Sequence, residues 1–126
     1  MDLGLIGLQH IGLPAQNVEE TAAFFRKLGF KDSFIKKTMD ENVCFVEAAG
    51  VIFEIYQRNE TAGRPGAIDH IALNTTKVEE AYRYCVEQGF EFVDGGIHQN
   101  DFWENGTKYF TIIGPNREKI EFSQYL

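Results

Sequence analysis

The chain has 126 residues, 44% of them hydrophobic and 25% charged, with a net charge of −7. That length fits one soluble domain with a real core, and an acidic balance without a basic patch excludes nucleic acid or an anionic membrane as the expected partner. No apolar run approaches a membrane span, the opening MDLGLIG lacks the basic start of a signal peptide, and two cysteines without CxxC spacing make no disulfide framework; the cytoplasm is the expected compartment.

Residues 7–13, GLQHIGL, read as a strand with His10 in an apolar run. Asn17, followed three residues later by Glu20, has the capping-box pattern for a helix over 18–28. Ala22, Phe25 and Leu28 recur at helical spacing, Phe24 widens the stripe, and Gly29 suits the left-handed position after the helix. Three strand-like runs follow at 30–37, 42–48 and 51–57. In the last, Ile52, Glu54 and Tyr56 share one face while Val51, Phe53 and Ile55 share the other.

The polar stretch at 58–66, RNETAGRPG, reads as a linker. Then the order repeats: a strand at 68–74, a helix at about 77–88 capped by Thr75 or Thr76, and Gly89 as its stop. A strand over 90–97 leads to a polar loop, 98–106, which carries His98, Phe102 and Trp103. Strands at 109–113 and 120–124 flank the turn Gly114-Pro115-Asn116. Two βαβββ modules, about 5–58 and 67–126, joined by a linker over 59–66, make a single α+β domain in this reading. The expected packing is one curved mixed sheet per module, helices outside and a cleft between the sheets.

The repetition is in the residues themselves. A shift of sixty aligns residues 10–30 with 70–90 without a gap. Eight of the twenty-one positions are identical: His10/His70, Ile11/Ile71, Leu13/Leu73, Val18/Val78, Glu19/Glu79, Glu20/Glu80, Gly29/Gly89 and Phe30/Phe90. Unrelated segments would share roughly one or two, so the chain contains an internal duplication.

If His10 and His70 hold equivalent places, the last strands of the modules should match as well. The run 51–56 corresponds to the segment ending in Lys119-Ile120-Glu121-Phe122, and each places one carboxylate, Glu54 or Glu121, among apolar residues. A carboxylate there faces solvent or needs a partner, since unpaired burial is expensive. A lone histidine in a strand is ordinarily structural, and a lone Glu ordinarily wet. Two imidazoles and two carboxylates at duplicated positions instead suggest one divalent ion per site. Nitrogen and oxygen donors without sulfur suit Ni, Zn, Co or Mn better than a structural zinc site.

Four segments carry a family resemblance: Leu8-Gln9-His10-Ile11, Ile52-Phe53-Glu54-Ile55, Ile68-Asp69-His70-Ile71-Ala72-Leu73, and the run from Gly114 to Phe122, GPNREKIEF. In this order they resemble the metal-bearing segments of the vicinal oxygen chelate superfamily: glyoxalase I, bleomycin-resistance proteins, extradiol dioxygenases and methylmalonyl-CoA epimerase. The last segment is similar to the DPDGxxIEL pattern, with Gly114 in place of its acidic residue and Arg117 in place of its glycine.

The resemblance implies a glyoxalase/dioxygenase fold with His10, Glu54, His70 and Glu121 as metal ligands. The His-Glu-His-Glu order is similar to that of bacterial glyoxalase I, a lactoylglutathione lyase that isomerises the hemithioacetal of a 2-oxoaldehyde and a thiol, and so detoxifies methylglyoxal. It implies Glu121 as the proton-transferring base, with Glu54 as ligand and second candidate. It also implies a small-molecule thiol adduct as partner, and a homodimer in which modules can exchange. Pro14 stands where bacterial glyoxalase I commonly has an Arg for the glutathione carboxylate, which leaves the thiol open. Arg58, Arg64, Lys108 and Arg117 are candidates for holding an anionic tail. The competing readings are another metal-dependent member (epimerase, thiol transferase or dioxygenase) and a small-molecule binding protein without turnover.

Overall fold

The computed structural model describes residue 2 and residues 4–126, and the chain divides into two compact units, residues 1–61 and 62–126. In the first unit, β1 (Ile11–Ala15) leads into α1 (Val18–Lys27), followed by β2 (Lys31–Lys37), β3 (Asn42–Ala48) and β4 (Val51–Gln57). The sheet order is β1-β4-β3-β2. β1 lies parallel to β4, and the other pairings are antiparallel. The strand expected at 7–13 begins only at Ile11, so His10 stands just before its first residue.

Local sequence fixes the ends of α1. Asn17 Oδ1 accepts the Glu20 N–H at 2.9 Å, as the capping box requires. At the other end Gly29 takes φ +93, its N–H reaches the Arg26 carbonyl and the Phe30 N–H reaches that of Phe25. This pair of bonds is a Schellman motif, and the Phe30 ring closes it by packing 5.3 Å from Phe25. Phe25 is fully buried and lies 4.6 Å from Phe53. Phe53 and Ile55 therefore point beneath the helix, and alternation along β4 turns Ile52, Glu54 and Tyr56 to the opposite face.

The second unit repeats the plan with β5 (His70–Asn74), α2 (Val78–Glu87), β6 (Glu91–Phe92), β7 (His98–Asn100), β8 (Thr107–Ile113) and β9 (Lys119–Tyr125). Its order is β5-β9-β8-β6, with β7 also pairing β8. α2 ends in the same way as α1: Gly89 has φ +73, and the Phe90 N–H bonds the Cys85 carbonyl at 3.2 Å. Phe110 stacks on Phe122 at 4.9 Å, with Tyr82 and Phe92 closing the aromatic core.

Three expectations change in this unit. Neither Thr75 nor Thr76 caps α2. The N-cap is Lys77, without a side-chain bond of its own, and Gln124 from β9 accepts the Val78 N–H at 2.9 Å. The strand expected over 90–97 shrinks to two residues, because the chain turns at Gly95-Gly96, where Gly96 has φ +87 and donates to the Tyr82 hydroxyl. Residues 98–100, expected as loop, form β7, with His98 opposite Tyr109.

Candidate metal centre

Register places the functional side chains. In the first unit Gly12 of β1 lies opposite Glu54 of β4; in the second, Ala72 of β5 lies opposite Glu121 of β9. Gly12 and Ala72 are the same position under the sixty-residue shift, so the duplication extends to the strand register. Each carboxylate sits on the sheet face turned away from the helix, because its neighbours along the strand occupy the core. Each histidine stands at the mouth of the parallel strand beside it.

In the second unit His70 Nε2 is 3.3 Å from Glu121 Oε2, while His70 Nδ1 bonds Asp69 Oδ2 at 3.0 Å. Lys119 Nζ approaches the same Asp69 carboxylate at 3.2 Å. The hydrogen bond from His70, then that from Lys119, holds the Asp69 carboxyl below its ordinary range. The chain Lys119–Asp69–His70–Glu121 thus turns one ring nitrogen to a fixed partner and leaves the other facing the glutamate.

The first unit repeats the geometry with different chemistry. His10 Nε2 is 3.6 Å from Glu54 Oε1, and His10 Nδ1 pairs with Gln9 Oε1 at 2.9 Å. The His10 ring meets Phe45 edge-on at 5.5 Å. A Cβ at Gly12 would make only ordinary contacts, 3.6 Å from Tyr56 and 3.8 Å from Glu54 Oε1, as the alanine at the equivalent position 72 suggests.

These pairs fit a divalent ion. A metal bound at about 2.0–2.2 Å to one nitrogen and one oxygen holds those two donors roughly 3 Å apart, of the same order as the 3.3 and 3.6 Å found. In both histidines Nδ1 is bonded to the residue before it, which fixes the ring and reserves Nε2 as donor, the arrangement typical of metal-ligating histidines. Among the described residues no three His, Cys, Asp or Glu side chains gather as a metal-holding group; what the structure brings together is one His and one Glu in each unit.

The third histidine lies elsewhere. His98 Nε2 is 2.8 Å from Asp94 Oδ1, and its ring packs against Tyr109 at 5.6 Å. Among the candidate anion holders, Lys108 pairs with Glu79 at 3.2 Å, Arg117 pairs with Glu91 at 2.7 Å, and Arg58 lies over the Tyr56 ring at 4.6 Å. Both cysteines are buried and free, and burial pushes the Cys85 thiol up to about 11, so neither is placed as a nucleophile. Sequence reasoning assigned no role to Gln9, Asp69 or Lys119. The signal was available, because Gln9 and Asp69 both immediately precede a duplicated histidine.

The open face of the second unit is concave, with a cavity of about 610 Å³ whose lining includes His70, Glu121, Lys119, Trp103, Phe102 and Tyr125. In the first unit His10 shares a smaller hollow with Phe34, Phe45 and Ile52.

Two mixed sheets, few helices and paired His–Glu side chains at duplicated positions define a class of protein. The model of the Glyoxalase/Bleomycin resistance protein/Dioxygenase superfamily matches residues 7–121, and the chain belongs to that superfamily. It is 27% identical over 127 residues to the uncharacterized protein YwbC of Bacillus subtilis (strain 168), covering 93% of this chain and 96% of that one. Among solved structures, a glyoxalase family protein from Enterococcus faecalis is similar at a TM-score of 0.76, with 22% identity over 93% of this chain and 96% of the other. The fosfomycin resistance protein FosX from Listeria monocytogenes, crystallised with Mn(II) and sulfate, is similar at a TM-score of 0.74, with 16% identity over 97% and 94% of the two chains. These likenesses establish the fold. Among the described residues no helix is long and apolar enough to cross a membrane.

Proposed function

We propose that the chain is a metal-dependent lyase/isomerase of the glyoxalase I type, acting on the thiol adduct of a 2-oxoaldehyde. In this reading both units belong to one domain, and His10, Glu54, His70 and Glu121 together hold one divalent ion (Ni, Zn, Co or Mn). The observation that carries it is the duplicated pair: each histidine has Nδ1 engaged by its preceding residue and Nε2 facing a glutamate. FosX with its Mn(II) supports a divalent metal on this fold.

The reaction moves one proton between neighbouring carbons and needs no oxidant. A bound divalent ion supplies Lewis-acid stabilisation of the charge that develops on the two adjacent oxygens. Glu121 takes the proton from the carbon that bears sulfur and returns it to the next carbon, giving a 2-hydroxyacyl thioester. Its side chain is 19% exposed against 31% for Glu54, so it is the more sheltered of the two carboxylates. Asp69 and Gln9 keep the imidazoles oriented, and the turned-out strand faces offer the substrate its surface.

The test is metal analysis of the purified protein and titration with Ni, Co, Mn and Zn, followed by methylglyoxal with several thiols. Uptake of one ion per site and metal-dependent thioester formation are expected; a protein that takes up none of the four ions overturns the reading. Assay with fosfomycin and the same thiols covers the FosX-like alternative, and its consumption in place of methylglyoxal would transfer the assignment. The chain acts as a cytoplasmic homodimer in this proposal, which light scattering checks.

A further inference from the structure

The second unit carries aromatic surface that the metal pair does not require. Trp103 is 72% exposed and Phe102 is 63% exposed, both on the segment between β7 and β8. Large apolar side chains displayed together beside a cavity ordinarily mark a contact site. Here they line the same concavity as His70 and Glu121.

The segment is built to hold that display. Asn100 Oδ1 accepts both the Phe102 N–H at 3.1 Å and the buried Thr107 hydroxyl at 2.6 Å, tying its two ends together. Gly106 presses against the Asn100 carbonyl, where a Cβ would come within 2.5 Å, and its own carbonyl accepts the Leu126 N–H. Trp103 adopts φ +65, a left-handed backbone that a bulky residue keeps only when its surroundings impose it. Its indole stands edge-on to Tyr125 at 5.6 Å. Charge narrows the ligand further. Among the described residues Lys119 is the one Lys or Arg lining this cavity, and Asp69 engages it, so an anionic tail finds no spare cation there.

We propose that this face is a subsite for an aryl or comparably large apolar group, carried next to the two oxygens that the metal would hold. It rests on the metal-centre reading and names the substrate class for it: an aromatic or bulky 2-oxoaldehyde adduct in preference to a small one. A volume of about 610 Å³ lies within the roughly 300–1,000 Å³ of small-molecule sites.

Two hydroxamates test this, because both chelate a divalent ion through two oxygens and differ in the aryl group alone. Manganese-loaded protein is titrated with acetohydroxamate and benzohydroxamate by calorimetry, and the fluorescence of Trp103, the chain's one tryptophan, is followed in parallel. Benzohydroxamate is expected to bind at least about ten-fold tighter, given aromatic contact beyond simple burial, and to perturb the Trp103 emission. Trp103→Ala and, separately, Phe102→Ala should bring the ratio toward one and leave acetohydroxamate affinity unchanged; both side chains are exposed, and circular dichroism confirms the fold.

Equal affinities in the unsubstituted protein, or a preference that survives both substitutions, overturn the subsite. A change of oligomeric state in Trp103→Ala with the ratio unaltered would assign the aromatics to a contact between chains and likewise overturn it. Failure to load manganese, nickel, cobalt or zinc would instead remove the metal-centre reading, so the two failures are distinguishable.

Discussion

The two units share a plan but support their histidines differently. His70 leans on Asp69, a carboxylate that Lys119 also holds, whereas His10 leans on the neutral amide of Gln9. Lys119 lies directly opposite His70 across β5 and β9, two residues ahead of Glu121; Ile52 stands two residues ahead of Glu54. Duplication preserved the donors and their register and let the supporting shell diverge. A duplicated plan can thus give two units unequal supports, a lysine-braced carboxylate behind His70 and a neutral amide behind His10. That inequality is a physical ground for assigning different roles to Glu54 and Glu121.

The largest expected effect breaks the symmetry directly. Glu121→Gln should lower isomerase turnover by about 10²–10⁴-fold, the usual worth of a positioned acid–base group, while part of the metal affinity survives. Glu54→Gln should retain measurable turnover and lose mainly metal. Steady-state rates on metal-saturated variants decide the matter, and equal losses in the two would restore the symmetric view.

Next in size is a core substitution that asks whether the units fold together. Phe25 is fully buried, with Phe24, Phe30 and Phe53 around it. Phe25→Ala should cost about 3–5 kcal/mol through lost burial and the cavity left behind. Urea unfolding followed by circular dichroism should show one transition moved to lower denaturant if the two units are one cooperative body. A split into two transitions, one of them unmoved, would make the units independent.

The supporting shell supplies a smaller, sharper test. Asp69→Gln gives the second unit the neighbour that the first already has. Loss of a carboxylate behind a ligating imidazole should weaken metal binding about 10–100-fold. Gln9→Ala should cost less, because a neutral amide polarises the ring less than a carboxylate does. Calorimetric titration with zinc or manganese orders the two, and the reverse order would show that the first unit is the stronger half.

Most of the fold was legible because its signals are local. The Gly-Phe step after each helix specifies a Schellman end, and alternation in residues 51–57 separates Glu54 from Phe53 and Ile55. Even the resembled glycine that this chain lacks is explained: Arg117 sits there at φ +63, holding the left-handed turn a glycine would otherwise take. What escaped was non-local. β7 exists because residues 98–100 pair with β8, although their composition, His-Gln-Asn, is that of a loop. Lys119 drew no role, since nothing in the sequence says that strand pairing brings it to Asp69, fifty positions away.

Helix capping shows the same division at the smallest energies. Asn17 caps α1 from within its own sequence, while α2 depends on Gln124, 46 residues away. Removing either side-chain acceptor should cost about 1 kcal/mol, the usual value for a helix N-cap. The consequences should nevertheless differ. Asn17→Ala acts on a helix whose start is otherwise self-contained, so hydrogen exchange should rise mainly in the first turn of α1. Gln124→Ala also cuts a tie between α2 and the strand that carries Glu121, so exchange should rise both at Val78 and along β9. If β9 is undisturbed, the distant cap is only a local convenience, and the second unit is no more tightly wired than the first.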